Sequence, residues 1–121
     1  MLYAVKELSR RLQGPREFDY VAAKRMVKYL YGTRDTVSQL RPRKGTLRLD
    51  SASDSDRAGC PTSRKSPSGA MVWLSGALVS SLCKTQGLIA LSSPEAEHYA
   101  CTVGAAEAKF VQSILLDWGV R

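Results

Sequence analysis

The spacing of apolar residues divides the chain into a helical first part and a second part that begins with strands. From Leu2 to Leu12 apolar residues recur every three or four positions, which predicts a short helix that ends before Gly14. The same period over residues 16–31 predicts a second helix. The polar and basic stretch of residues 34–44 is predicted to connect this helical hairpin to the second part.

The residues after Gly45 predict a small antiparallel sheet. Leu47 and Leu49 alternate with polar residues, which is typical of a short strand. Two further apolar runs, residues 70–74 and 78–82, flank a short turn that contains glycine, and they predict a β-hairpin. The second part therefore begins with three strands in sequence order.

A long helix is predicted to follow the sheet. It starts at Ser92 or Ser93, either of which can cap it, and ends near Trp118, before Gly119. At 100° per residue, Glu97 shares one face with small and apolar residues. These are Ala100, Cys101, Gly104, Ala108, Val111 and Leu115. Glu97 is therefore predicted to face the sheet.

An acid that faces a sheet costs free energy unless something receives its charge. One interpretation is that Glu97 reaches a backbone amide or a loop arginine. The other is that Glu97 binds a divalent metal ion together with Asp54 and Asp56, which lie where the first strand ends.

Composition and charge narrow the class of protein. With 121 residues and 13.3 kDa, 44% hydrophobic and 24% charged residues, the chain has the size and make-up of one globular domain, and a disordered or collagen-like chain is excluded. Three cysteines without a CxxC spacing predict reduced thiols, hence an intracellular protein, cytoplasmic or nuclear and not secreted. The absence of a long apolar run predicts no contact with a membrane.

The positive charge is concentrated at the start of the chain. Residues 1–50 contain 12 Lys and Arg and 5 acidic residues, whereas residues 51–121 contain 6 of each. This asymmetry is consistent with a solvated helix face, or with a basic surface that binds a polyanion such as nucleic acid. The candidate nucleic-acid-binding residues are Lys24, Arg25, Lys28, Arg41, Arg43, Lys44, Arg64 and Lys65.

Several motifs together resemble one family. Ser53–Pro61, Arg64–Gly69 and Ala90–Ala100, in this order and spacing, resemble the RNase H domain of copia-type LTR retrotransposon Pol polyproteins. Upstream, Ala23–Arg25 followed by Tyr29–Thr33 is similar to the segment that joins reverse transcriptase to RNase H in that family. The resemblance covers nearly the whole chain.

The resemblance implies an α/β fold. Residues 1–45 would be a basic helical connection segment, and residues 46–121 the N-terminal part of an RNase H-like domain. That part would comprise a three-stranded antiparallel meander and a long helix, preceded by the basic helical hairpin.

The resemblance also implies an activity, which is cleavage of the RNA strand of RNA–DNA hybrids by two Mg²⁺ ions. Asp54 and Glu97 would be the catalytic metal ligands, and Asp56 an auxiliary ligand or a loop residue. A further catalytic acid of the family follows the position of Arg121. The chain is therefore expected to be a fragment with little or no nuclease activity alone, with the remainder of a Pol polyprotein as a partner.

Two alternatives to a nuclease segment belong to other functional classes. A non-catalytic basic module would bind an RNA–DNA hybrid or another polyanion through its Lys and Arg residues, with the acids incidental. A decayed copy would not fold at all. A zinc site is disfavoured, because among the four residues that could form one, Cys60, Cys83, His98 and Cys101, only the last two are close in sequence.

Overall fold

The computed structural model describes residues 1–40 and 45–120. Its helices and strands, in chain order, are α1 (Leu2–Ser9), α2 (Glu17–Gly32), β1 (Leu49–Ser55), β2 (Pro67–Leu74), β3 (Ala77–Thr85) and α3 (Ser93–Asp117). The expected α/β fold with a three-stranded antiparallel meander and a long final helix is confirmed. The chain forms two compact units, and the first ends at Leu40.

The first unit is the hairpin of α1 and α2. Helix α2 begins at Glu17 because the Asp19 carboxylate accepts a hydrogen bond from the backbone N–H of Arg16 at 2.9 Å. Asp19 is also the one buried residue of the two helices, and Arg11 lies 3.7 Å from its other oxygen. The apolar side chains of this unit are largely exposed, with Leu12 at 76%. Helix α1 ends at Ser9, several residues before Gly14, where the sequence pattern predicted the helical run to stop.

The second unit is built on the sheet, in which the strands follow the order β1-β2-β3. Strands β2 and β3 join through Ser75 and Gly76, whose φ angles of 49° and 86° suit a tight hairpin turn. The predicted hairpin is therefore confirmed. In the register of β1 and β2, Ser53 lies opposite Ala70 and Ser55 opposite Ser68.

Helix α3 packs on β1 and β2 through small residues. Ala96, Ala100 and Gly104 are the buried residues of the helix. A Cβ at Gly104 would lie 3.1 Å from the Cβ of Ser53 and 3.6 Å from that of Ala70. The backbone of α3 therefore approaches the sheet as closely as glycine allows.

The ends of α3 follow the expected signals. The Ser92 hydroxyl accepts a hydrogen bond from the Glu95 N–H at 3.2 Å, while Glu95 accepts one from the Leu91 N–H at 2.8 Å. The helix stops before Gly119, which has a φ of 76°. Cys101 is exposed, so the prediction that it shares the sheet-facing side was wrong.

A buried glutamine ties the sheet to the first turn of α3. The Gln86 amide nitrogen donates hydrogen bonds to the Ser68 hydroxyl and to the Ala96 carbonyl oxygen, both at 2.8 Å. Because Ala96 directly precedes Glu97, this link sets where that acid meets the sheet.

Within the described residues, no helix combines the length and the apolar character that crossing a lipid bilayer requires.

Replacing Gly104 should loosen the second unit. Gly104→Leu forces a branched side chain into the contact with Ser53 and should lower the free energy of unfolding by about 2 kcal/mol. The matched control is Ala105→Leu at the neighbouring exposed position, which should change it little. Urea denaturation of both variants checks this, and equal stability of the two would contradict the packing described.

Candidate functional site

Glu97 meets the sheet at the end of β1. The Ser55 hydroxyl donates a hydrogen bond to Glu97 Oε1 at 3.1 Å, in a partly buried setting. Glu97 lies in the second turn of α3 and is itself half-buried. Neither a backbone amide nor an arginine, the two protein partners considered from the sequence, bonds to this carboxylate among the described residues. A serine hydroxyl does so instead.

Asp54 belongs to the other face of the sheet. Successive side chains of a strand point to opposite faces. Ser53 contacts Gly104 of α3 and Ser55 contacts Glu97, so the side chain between them points away from the helix. Asp54 is exposed, and its carboxylate makes no hydrogen bond or ion pair with any described residue. The structure therefore does not bring Asp54 to Glu97.

Asp56 follows the end of β1 and turns into its own loop. A Cβ at Gly59 would collide with the Asp56 carboxylate, which therefore lies against the backbone of that glycine. The Gly59 N–H donates to the Asp56 carbonyl oxygen at 3.1 Å and closes the turn. Asp56 is exposed, and its carboxylate lies in the loop that follows β1.

The three predicted acids are not clustered among the described residues. Within residues 1–40 and 45–120, no three His, Cys, Asp or Glu side chains come close enough to share an ion. Mg²⁺ prefers several oxygen ligands in octahedral geometry, whereas Glu97 has a neutral hydroxyl beside it and Asp54 faces the other way. That Asp54, Asp56 and Glu97 are metal ligands stays a prediction.

A second acid of α3, Glu107, also contacts the sheet, and this contact was not predicted from the sequence. The Ser80 hydroxyl of β3 donates to Glu107 Oε1 at 2.6 Å, again partly buried. Glu107 lies ten positions after Glu97, which turns its direction by about 80° around the helix, so the face predicted from Glu97 did not include it. Two serine–glutamate pairs thus join α3 to the two outer strands.

The predicted nucleic-acid-binding residues fall in different parts of the chain. Lys24, Arg25 and Lys28 are exposed on α2. In the second unit, Arg64 is exposed. The Lys65 ammonium group donates a hydrogen bond to the Gly87 carbonyl oxygen at 2.6 Å, so one of its donors is used within the protein. The other three, Arg41, Arg43 and Lys44, lie outside the described residues.

The cations of the first unit are of two kinds. Lys6 and Arg10 lie 3.0 and 3.6 Å from Glu7. Burial raises the pKa of Glu7, whereas the hydrogen bonds and positive charges of Lys6 and Arg10 together lower it by more. The pKa of Glu7 therefore lies below its usual value. Lys24, Arg25 and Lys28, in contrast, have no acidic partner among the described residues.

Removing the Ser55 hydroxyl should cost more than removing the Asp54 carboxylate. Ser55→Ala leaves a half-buried Glu97 with one donor fewer and should lower the free energy of unfolding by about 1 kcal/mol. Asp54→Ala, its neighbour on the exposed face, should change it by less than about 0.5 kcal/mol. Urea denaturation of both variants measures these changes. A larger loss of unfolding free energy for Asp54→Ala than for Ser55→Ala would show that Asp54, and not Ser55, points toward α3.

No protein-family profile and no solved structure matches the chain. Curated proteins do. The chain is 33% identical over 119 residues to a retrovirus-related Pol polyprotein from transposon RE2 of Arabidopsis thaliana, and 33% identical over the same length to one from transposon TNT 1-94 of Nicotiana tabacum. Both alignments cover 98% of this chain, which spans 8% and 9% of these relatives' length.

A shorter relative matches over most of its own length. The secreted RxLR effector protein 161 of Plasmopara viticola is 39% identical over 105 residues, which are 87% of this chain and 73% of that protein. With homologues at about one-third identity along nearly its whole length, the chain belongs to a family that comprises segments of copia-type retrovirus-related Pol polyproteins and this shorter protein.

Proposed function

We propose that the chain is a segment of a retrotransposon Pol polyprotein whose second unit is the first part of an RNase H-like domain. The likeness to Pol polyproteins extends over both units. The order of three antiparallel strands and a long helix is the one that the RNase H resemblance implies. In the complete polyprotein, the proposed activity is cleavage of the RNA strand of RNA–DNA hybrids.

The position of Glu97 is the observation that carries this proposal. Glu97 is a partly buried acid near the start of α3, and the Ser55 hydroxyl holds it against the end of β1. The helix packs on the sheet through Ala96, Ala100 and Gly104, and this packing does not require a carboxylate. An acid at this junction of strand and helix is where the resemblance places a metal ligand. A carboxylate there is available to bind Mg²⁺ once further oxygen ligands reach it.

We further propose that this chain alone does not cleave hybrids. Two-metal hydrolysis needs several carboxylates around ions that lie about 4 Å apart. In this chain the Glu97 carboxylate accepts a hydrogen bond from Ser55, and the alternation of side chains along β1 directs Asp54 to the other face of the sheet. Further ligands would have to come from other chain segments.

A hybrid-cleavage assay tests this proposal. The chain is incubated with a labelled RNA–DNA hybrid in Mg²⁺, beside a complete RNase H as positive control, and no turnover above the buffer blank is expected. Glu97→Gln and Asp54→Asn should leave that blank level unchanged. The matched control is Glu95→Gln, which alters an acid that serves the helix cap.

Turnover that Asp54→Asn abolishes and Glu95→Gln spares would contradict the proposal that the chain is inactive alone. It would place both acids in a working centre and thereby support the RNase H assignment itself. Turnover that none of the three variants changes would point to a contaminating nuclease, which an independent preparation of the triple variant would confirm.

Non-catalytic nucleic-acid binding is the second candidate function, and the charges of α2 favour it. Lys24, Arg25 and Lys28 are exposed, lie within five positions of one another and have no acidic partner among the described residues. Cations arranged in this way attract phosphates without reading base sequence.

Salt dependence tests this second candidate. Binding of a hybrid duplex should weaken as salt rises, and Lys24→Gln with Lys28→Gln should reduce the slope of log K against log salt by about 2. The control variant, Lys84→Gln with Lys109→Gln, removes the same charge from two exposed lysines of the second unit and should keep the slope. Equal slopes for the two double variants would show that α2 is not the phosphate-binding surface.

A further inference from the structure

The outward face of α2 carries aromatic side chains as well as cations. Tyr20 and Tyr31 are 60% and 69% exposed, and Lys24 and Lys28 between them are exposed too. We call these four residues the Tyr–Lys face.

The four residues form one stripe along the helix. At 100° per residue, their directions fall within about 80° of one another, and Tyr20 and Tyr31 differ by only about 20°. At a rise of 1.5 Å per residue, the two tyrosines lie about 16 Å apart along the helix axis, with the two lysines between them. Lys24 and Lys28 point away from Asp19, the buried residue of the helix. Tyr20 lies about 100° from Asp19 and also borders a groove lined by Leu8 and Leu12.

Positive charge dominates the stripe. The Arg34 guanidinium lies over the Tyr31 ring, 4.8 Å from its centroid, and adds a cation at the far end, while the ring stays 69% exposed. The acids nearby are Glu17, one turn before Tyr20, and Asp35, which lies 3.5 Å from Arg34. Neither lies between the two tyrosines.

The chemistry of this face matches one class of ligand. An apolar face that packs on a protein carries its charges at the rim, whereas here two lysines occupy the centre. Duplex nucleic acid offers phosphates but hides the flat faces of its bases. A single strand offers both phosphates for lysine and unpaired bases for tyrosine to stack on.

We propose that the Tyr–Lys face of α2 binds single-stranded nucleic acid. Tyr20 and Tyr31 each stack against a base, and Lys24 and Lys28 bind the phosphates of the nucleotides between them. This inference rests on the proposed nucleic-acid binding by α2 and adds to it the preference for unpaired strands. It is independent of the RNase H assignment.

Fluorescence anisotropy of the full chain with a labelled oligothymidylate and with a duplex of equal length tests the inference. The single strand should bind more tightly. Tyr20→Ala and Tyr31→Ala should each weaken single-strand binding about 5-fold or more and leave duplex binding unchanged. Tyr20→Phe and Tyr31→Phe should restore it, because the ring is what stacks.

The matched control is Tyr29→Ala. Tyr29 is 58% exposed on the same helix, but its direction differs from that of Tyr20 by about 180°, so its loss should not affect either affinity. Far-UV circular dichroism establishes that each variant keeps the helical signal of the parent chain. If an alanine variant does not, Tyr20→Gln and Tyr31→Gln, which also lack the ring and favour a helix, provide the test.

Three results would overturn the inference, and they distinguish its failure from the failure of the proposed phosphate binding by α2. If the tyrosine variants bind the single strand like the parent while salt dependence persists, phosphate binding stands and stacking fails. If neither oligonucleotide binds at low salt, both fail. If the chain self-associates through this face, so that Tyr20→Ala yields monomers and no oligonucleotide binds, the face contacts protein.

Discussion

The close approach of α3 to the sheet is the constraint on which the rest of the second unit depends. Gly104 and Ala100 leave so little between helix and strands that short side chains on the strands can reach the helix. Ser55 and Ser80 therefore meet Glu97 and Glu107 directly. With larger residues on this face of α3, the two serines would be too short for their acids, and Glu97 would lose the partner that places it at the end of β1.

The period of a β-strand then decides which polar residues of β1 can act with Glu97. Because side chains alternate, the position of Ser55 is available to Glu97 and that of Asp54 is not. In the proposed role, additional carboxylates would have to approach Glu97 from other chain segments. The first unit is separate in kind, since its exposed tyrosines and lysines belong to a surface and not to a reaction centre.

The helices and strands could be predicted because strong local sequence signals mark their ends, such as Ser92, which caps α3, and Gly119, which follows its last turn. The faces of β1 could not. Its sequence contains two apolar residues, Leu49 and Ala52, and these lie on opposite faces, so no hydrophobic alternation shows which side is buried. The buried side of α3 was also difficult to predict, because small residues occur on several sides of the helix. The predicted sheet-facing side wrongly included Cys101, which is exposed.

The arrangement of Ser55, Asp54 and Glu97 is open to direct measurement by NMR on the isotopically labelled chain. The structure predicts a nuclear Overhauser cross-peak between the side-chain protons of Ser55 and Glu97, and none between those of Asp54 and Glu97. A cross-peak between Asp54 and Glu97 in place of the first would contradict the strand faces described here, and would restore the two acids as partners on one side of the sheet.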